Sequence, residues 1–467
     1  MGFSLGGQSV EDTIAAIATP VGVGGIGIVR VSGPEALQIG DCVFRPARGG
    51  KVSEQRTYTA RYGRVLHPRT GQVVDEALAL VMRAPGSYTR EDVLELQCHG
   101  GPLPLRLALE AVLAAGARLA APGEFTQRAF LNGRIDLAQA EAVADIIRAQ
   151  TDMSLAVAER ELEGRFSEEV RRLAAELLEV AAQLEVGIDF PEDDIPELAP
   201  GELTSRLEAV RKGVEQLLAT GRRGRVLREG LATVIVGKPN VGKSSLLNAL
   251  LGTRRALVTN VPGTTRDVIE EVVDIQGVPV RLLDTAGIRE TSDVVERLGV
   301  EASKERLQEA SLVLFMLDAE RGWEEEDGEI LSLCAGRETL VLLNKMDVGG
   351  GLSKEEAERR CQGLRVIPLS VQEGWGLADV ERAIAELVYA GGPGSEHAAV
   401  SNIRHLTALE GARSALEEAL NALRQGLTLD VVSAEVRAAR LELGKITGET
   451  VDDAVVERIF REFCVGK

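Results

Sequence analysis

The sequence predicts a multidomain chain of three parts: an N-terminal α+β domain, an all-α domain assembled from two separated stretches, and an α/β domain inserted between them. Three observations carry this expectation. Short β-like runs separated by Gly, Pro and Ser fill the chain before Pro122. Proline-free stretches with helical spacing occupy 123–190 and 401–467. Between them, from Gly230 to Gly391, apolar runs alternate with helical segments, as in a parallel sheet covered by helices. A length of 467 residues suits about three domains, each able to bury a core.

Strand-like runs fall at 13–18, 25–31, 58–66, 73–81 and 93–97, and an apolar helical stretch follows at 103–115. Leu155, Ala158, Leu162, Phe166, Val170, Leu173, Leu177, Val180, Leu184 and Ile188 then recur three or four apart. That spacing predicts one long helix with a single apolar stripe, stopped by Pro191-Glu-Asp-Asp-Ile-Pro196. A second helical stretch follows, and the Gly- and Arg-rich segment 221–230 reads as a linker. Strand-like runs at 233–236, 280–283, 312–317, 339–343 and 366–369 make up the α/β part, which Gly391-Gly-Pro-Gly394 closes. Two separate helical domains are the rival to one interrupted domain.

Composition narrows the class. Hydrophobic residues at 45% and charged ones at 27% exclude a largely disordered or fibrous chain, and aromatics at 3% favour helices over an all-β fold. No apolar run approaches the ~20 residues needed to cross a bilayer, and the first residues lack the pattern of a secretory signal. The five cysteines (Cys42, Cys98, Cys334, Cys361 and Cys464) are scattered and never form a CxxC pair, which fits a reducing cytoplasm rather than a disulfide or zinc framework. A formal charge of −19 argues against broad unaided attraction to nucleic acid, though not against a local basic face.

The run 233–236 leads into Gly237-Lys238-Pro239-Asn240-Val241-Gly242-Lys243-Ser244-Ser245, with a helical stretch from Leu246. This is GxxxxGKS in the strand–loop–helix setting it requires. Its glycines let backbone N–H groups converge on phosphate oxygens at a helix N-terminus, where the dipole favours an anion. Lys243 is placed to reach β- and γ-phosphates, and Ser244 to put its hydroxyl on Mg²⁺. Asp284-Thr285-Ala286-Gly287 adds an acid able to hold Mg²⁺ through water and a glycine N–H for the γ-phosphate. Gly263-Thr264-Thr265-Arg266-Asp267 supplies threonines to close over Mg²⁺ and phosphate, Thr265 on the metal. Asn344-Lys345-Met346-Asp347 specifies guanine, because Asp347 accepts both the ring N–H and the exocyclic amine, which adenine cannot offer together. A site built that way rejects the wrong base by up to ~10⁴–10⁵. Ser370-Val371-Gln372 stands where Ser-Ala-Lys is usual and keeps backbone contacts to the guanine oxygen. Order and spacing predict a P-loop GTPase of the translation-factor-related, Ras-like fold.

The position that holds a water-orienting Gln in Ras-like enzymes is Ile288, so another switch residue or a partner must orient the water. The nearest downstream acids are Glu290, Asp293 and Glu296. Asn240 supplies either a ligand for a monovalent cation or a loop hydrogen bond. At the C-terminus an apolar helix runs into Cys464-Val465-Gly466-Lys467. Cys464 is carried as a candidate catalytic thiol beside the competing reading of a buried structural one. Cys98-His99-Gly100-Gly101 is read as loop packing.

Several stretches together resemble the MnmE (TrmE) family of tRNA-modification GTPases. They are Asp12-Thr-Ile-Ala-Ala-Ile-Ala-Thr-Pro20, Gly27-Ile-Val-Arg-Val-Ser-Gly33, Glu91-Asp-Val-Leu-Glu-Leu-Gln97, Pro122-Gly-Glu-Phe-Thr-Gln-Arg-Ala-Phe-Leu-Asn132, Asp136-Leu-Ala-Gln-Ala-Glu-Ala142, the GTPase elements and the terminal Phe463-Cys-Val-Gly-Lys467. The resemblance implies a tetrahydrofolate-binding and dimerising domain at 1–121, a helical domain at 122–223 and 393–467, and a GTPase domain at 224–392. It implies homodimers working on tRNA with an FAD- and NADH-using partner, MnmG (GidA). The product is an aminomethyl or carboxymethylaminomethyl group on C5 of the wobble uridine, its carbon drawn from a 5,10-methylene- or 5-formyl-tetrahydrofolate. Folate contacts match Arg30, Glu95, Arg134 and Lys467. K⁺ ligands match Asn240, Thr259, Thr264 and the backbone of Val261, within a nucleotide-contacting stretch that includes Asn260 and Pro262. The water-orienting acid matches Glu296. Val23 and Val371 depart from the family's usual Arg and Ala. A GTPase acting only as a switch in ribosome assembly would not need the folate-matching residues, and a stand-alone folate-dependent transferase would leave the GTPase domain without purpose.

Overall fold

A computed structural model describes residues 12–20, 22–189, 200–254, 271–283, 307–389 and 400–467. They form two compact units. Unit 1 joins the chain up to Ala144 with Ser167–Ala174 and Leu441–Lys467, and unit 2 comprises Asp145–Phe166 and Ala175–Arg440.

Unit 1 is built on a seven-stranded sheet: β1 Ile14–Ile17, β2 Ile26–Ser32, β3 Phe44–Pro46, β4 Thr59–Leu66, β5 Val73–Met82, β6 Val93–His99 and β7 Arg118–Leu119. The strand order is β3-β4-β5-β6-β2-β1-β7, antiparallel except where β7 meets β1. The five strands read from the sequence are present, and the short β3 and β7 are additional. Alternation turns Val29 and Val31 of β2 into the core beneath helices Ala36–Val43 and Pro102–Ala114, and so turns Arg30 to the opposite face. Cys98 lies in that core, where burial pushes its thiol up to about 12, so packing is its role. Across the other face, Arg128 is almost fully buried and binds the Asp12 carbonyl at 2.8 Å, Glu91 at 3.1 Å and Glu124 at 3.1 Å.

The C-terminal residues belong to this unit. Phe460 and Phe463 pack with Phe130, Leu137 and Val456. The Gly123 N–H donates to the Cys464 carbonyl at 3.3 Å. Only glycine fits there: φ is +69°, and a Cβ would meet the Phe460 carbonyl at 2.4 Å.

Unit 2 holds the second sheet: β8 Leu231–Val236, β9 Glu271–Ile275, β10 Val278–Leu282, β11 Leu312–Asp318, β12 Glu338–Asn344 and β13 Val366–Pro368, in the order β13-β12-β11-β8-β10-β9. All pairings are parallel except β9 with β10. Central β11 is buried along its whole length. The helices Lys243–Arg254 and Leu377–Tyr389 cover one face and Lys354–Arg360 the other. The sequence reading missed β9. Gln276 and Gly277, with φ of 52° and 86°, make the tight turn that folds it back on β10.

Two expectations are corrected. The single long helix is two, Asp152–Leu162 and Arg165–Asp189, because Gly164 takes a left-handed φ of +88° that ends the first. The stripe continues across the break, which is why spacing did not reveal it. The segment at 221–230 is a helix, Gly221–Glu229, rather than a linker. Its glycines mark close packing: a Cβ would meet Leu406 at 2.3 Å from Gly221 and the Val400 carbonyl at 2.2 Å from Gly224. Among the described residues no helix is long and apolar enough to cross a membrane.

Glu161, buried where this helix and residue 401 approach, accepts from the Ser401 hydroxyl at 2.9 Å. Burial, then the nearby Asp145 charge, pushes its pKa from 4.5 up to about 8. An acid with a raised folded pKa costs stability as pH climbs, since unfolding releases its proton. Stability of the wild type should therefore fall between pH 4.5 and about 8 from this group. Glu161→Gln, which mimics the protonated form, should flatten that slope. Thermal unfolding at several pH values checks it; an equally steep profile in the variant would refute the assignment.

Candidate functional site

The phosphate loop lies where the motif placed it, between β8 and the helix Lys243–Arg254, with Ser244 and Ser245 in that helix's first turn. Its shape requires glycine twice. Gly237 has φ +149° and a Cβ there would sit 2.6 Å from the Met316 carbonyl. Gly242 has φ +108° and a Cβ would sit 2.3 Å from Asn344 Nδ2. Asn240 also takes a positive φ, +64°, and its exposed side chain makes no hydrogen bond to another described residue. The Lys243 ammonium donates to the carbonyls of Gly237 at 2.6 Å and Lys238 at 2.8 Å, which fixes it over the loop.

The turns that the sequence assigns to guanine meet the same loop. Asn344 ends β12 and is buried; its Nδ2 donates to the Val241 carbonyl at 2.8 Å, and its Oδ1 accepts from the Val371 N–H at 3.1 Å. One side chain thus joins the phosphate loop, the Asn344–Asp347 turn and the Ser370–Gln372 turn. The Met346 N–H donates to the Leu369 carbonyl at 3.3 Å, and the Ser370 hydroxyl accepts from the Glu373 N–H at 3.2 Å. Lys345, at φ +65°, is held by Asp318 at 2.7 Å. Asp347 and Gln372 are both exposed. The sequence reading missed Asp318; its signal was a lone acid closing the apolar strand Leu312–Asp318.

Thr259, Asn260, Val261, Pro262, Gly263, Thr264, Thr265, Asp284, Thr285, Ala286, Gly287 and Glu296 lie outside the described residues. Among the described residues no cluster of three or more His, Cys, Asp or Glu could hold a metal. The Ser244 hydroxyl, in the first turn of the helix beside the fixed Lys243, is a hard oxygen donor that suits Mg²⁺ shared with phosphates.

A second site forms in unit 1. Arg30 and Glu95 are direct partners across β2 and β6, with Nε 2.8 Å from Oε1. Arg30 Nη1 also donates to the Gly466 carbonyl at 3.5 Å, next to Lys467. Its guanidinium lies 5.9 Å from the Tyr88 ring centroid and 5.7 Å from that of Phe125, and Arg134 lies 4.7 Å from Tyr88. Burial, then the Arg30 charge, lowers the Lys467 pKa. Arg30, Glu95, Arg134 and Lys467 therefore converge, although they come from positions spread over nearly the whole chain. Tyr88 and Phe125 were missed; a lone aromatic carries no spacing signal. Gly466 brings the tail in: at φ +94°, a Cβ would meet the Ile17 carbonyl at 2.3 Å. Cys464 is exposed, so the buried structural reading of its thiol does not hold; its backbone carbonyl is what the fold uses.

Comparison with known proteins gives consistent matches. The family model described as the TrmE N-terminus of a GTP-binding protein matches residues 13–134, and the MnmE helical domain model matches 137–464. The tRNA modification GTPase MnmE of Geobacillus kaustophilus is 48% identical over 458 residues, 98% of this chain and 99% of that protein. That of Bacillus subtilis is 47% identical over 458 residues, 98% of this chain and 100% of that protein. Among solved structures, a variant of Aquifex aeolicus Era bound to GDP and AlF₄⁻ is 32% identical over 39% of this chain and 65% of its own, with a TM-score of 0.26.

Asn344→Ala should leave the Val241 carbonyl and Val371 N–H without their shared partner and loosen three turns at once. The expected cost is ~2–4 kcal/mol of guanine-nucleotide affinity. Calorimetric titration with GDP would measure it, and wild-type affinity in a folded variant would count against the joint.

Proposed function

Because the chain belongs to the MnmE family of tRNA modification GTPases, we propose that its GTP hydrolysis serves a one-carbon transfer to tRNA from a folate bound in unit 1. The protein is a GTPase, with an N-terminal TrmE domain, a helical domain and a P-loop GTPase-like sheet. The proposal takes residues 1–121 as the folate-binding and dimerising domain, 122–223 and 393–467 as the helical domain, and 224–392 as the GTPase domain. The target is C5 of the wobble uridine, modified by a homodimer together with the FAD protein MnmG.

The observation that carries the folate reading is the placement of Arg30 against both Glu95 and the Gly466 carbonyl. A tetrahydrofolate has an anionic glutamate tail and a pterin rich in N–H donors. Glu95, held in place by Arg30, can accept from the pterin. Arg134 and Lys467 supply cations for the tail, and Tyr88 and Phe125 offer apolar walls. When bound, the folate supplies the carbon. The chain's residues orient it, and Cys464 presents an exposed thiol near by in sequence.

In the GTPase site, Lys243 and the loop N–H groups meet the phosphates, and Ser244 with Thr265 would hold Mg²⁺. Asp347 reads guanine, with Ser370 and Val371 closing over the base. Charge spreads over the transferring phosphoryl group, and with Ile288 in place of a glutamine a stabiliser must come from elsewhere. The exposed amide of Asn240 fits a K⁺ ligand, with Thr259, Val261 and Thr264 completing the set and Glu296 orienting water.

Two outcomes test this reading. Arg30→Ala or Glu95→Ala should abolish folate binding and tRNA modification while basal GTP hydrolysis stays near wild type. Fluorescence titration with 5-formyl-tetrahydrofolate, beside a phosphate-release assay, would decide, and equal loss of both in a folded variant would assign these residues to the fold instead. GTP hydrolysis should also be at least ~10-fold faster in K⁺ than in Na⁺, part of the ~10³–10⁵ an arginine finger supplies. Asn240→Ala should remove most of that difference. Equal rates in the two salts at saturating GTP and Mg²⁺ would point to an arginine from a partner.

A further inference from the structure

The phosphate loop carries a second lysine. Lys238 follows Gly237 directly, yet its side chain is only 4% exposed and is spent on carboxylates: its ammonium lies 2.8 Å from Glu324 and 2.8 Å from Asp327. Asp327 is itself 1% exposed, in the first turn of the helix Glu325–Leu333. Its Oδ2 also accepts from the Glu324 N–H at 2.9 Å, while its Oδ1 has no hydrogen-bond partner among the described residues. An ion pair this buried is costly to form and gives little net stability, which fits a positional task.

The backbone of the same residue shows what is positioned. The Lys238 carbonyl is one of the two acceptors that orient Lys243. The side chain of Lys238 therefore anchors, from outside the loop, the peptide on which the phosphate-reaching lysine rests. The anchoring segment grips the base end as well. Asp318, nine residues before Asp327, holds Lys345, and its Oδ1 accepts from the Glu320 N–H at 3.0 Å. Residues 318–327 thus bracket both halves of the nucleotide site.

We propose that Lys238 is a positioning residue for the bound nucleotide: its ion pairs with Glu324 and Asp327 hold the Lys238 carbonyl under Lys243 and so set how tightly the phosphates are gripped and how slowly GDP leaves. This rests on the loop being the GTP site. The opposite reading, a lysine that meets phosphate directly and is merely restrained by the two acids, predicts the opposite sign, because removing an acid would then strengthen binding.

The test is stopped-flow release of a fluorescent GDP from the full chain, with single-turnover GTP hydrolysis measured alongside. Asp327→Asn, which keeps the side chain's size, should speed release by about 10-fold, the scale of one charge-assisted hydrogen bond. Lys238→Met should do the same, and the double variant should be no worse than either, since both remove one interaction. Glu324→Gln, at a half-exposed position, should have a smaller effect. The hydrolysis rate at saturating GTP should change much less than release, because ground and transition states share the grip. A purely structural ion pair would lower the melting temperature without changing release. If Lys238→Met does not fold, Asp327→Asn and Glu324→Gln still give the ordering. Unchanged or slower release in folded Asp327→Asn would overturn the proposal, whereas failure of the wild type to bind GDP would overturn the GTP-site reading beneath it.

Discussion

The amide of Asn344 satisfies a carbonyl from one loop and an N–H from another, and the nucleotide end of unit 2 takes its form from that pair of bonds. A buried backbone group left unpaired is expensive, so the three turns meeting there must be placed together or not at all. The glycine of the phosphate motif acquires a second reason. A side chain at Gly242 would collide with the Asn344 amide. Asp318 at the end of β11, and Glu324 and Asp327 after it, extend the same logic outward, holding Lys345 and Lys238 respectively.

In unit 1 the residues that carried the family resemblance prove to be largely architectural. Glu91, Glu124 and Arg128 come from two of the quoted stretches and form one buried ion network with Asp12. Asp136 and Gln139 come from a third, and each side chain accepts from the other's N–H at the start of the helix Leu137–Arg148. Arg30 and Glu95 are paired differently: they face one another across two strands, on the side away from the helices Ala36–Val43 and Pro102–Ala114.

Strands with clear alternation and the phosphate loop were legible in the sequence because their signals are local. The break at Gly164 was hidden because the apolar stripe keeps its phase across it. The helix Gly221–Glu229 was hidden because glycine signals both looseness and close approach, and only the neighbours, Leu406 and Val400, tell which. Strand β9 follows a stretch rich in turn residues and, among the described residues, pairs with β10 alone, at the sheet's edge. The roles of Asp318, Lys238, Tyr88 and Phe125 depend on contacts between distant positions, which no spacing rule records.

The two partners of Arg30 differ greatly in sequence distance, 65 residues to Glu95 and 436 to Gly466. On a ribosome adding about 5–20 residues per second, Gly466 emerges roughly 20–90 s after Arg30. The residues of β2 and β6 are therefore both synthesised long before the tail that completes the surroundings of their cation–carboxylate pair. Every chain that stops before Gly466 therefore lacks the carbonyl that Arg30 reaches, even if its sheet is sound. A chain whose unit 1 is complete has necessarily been synthesised together with the whole of unit 2.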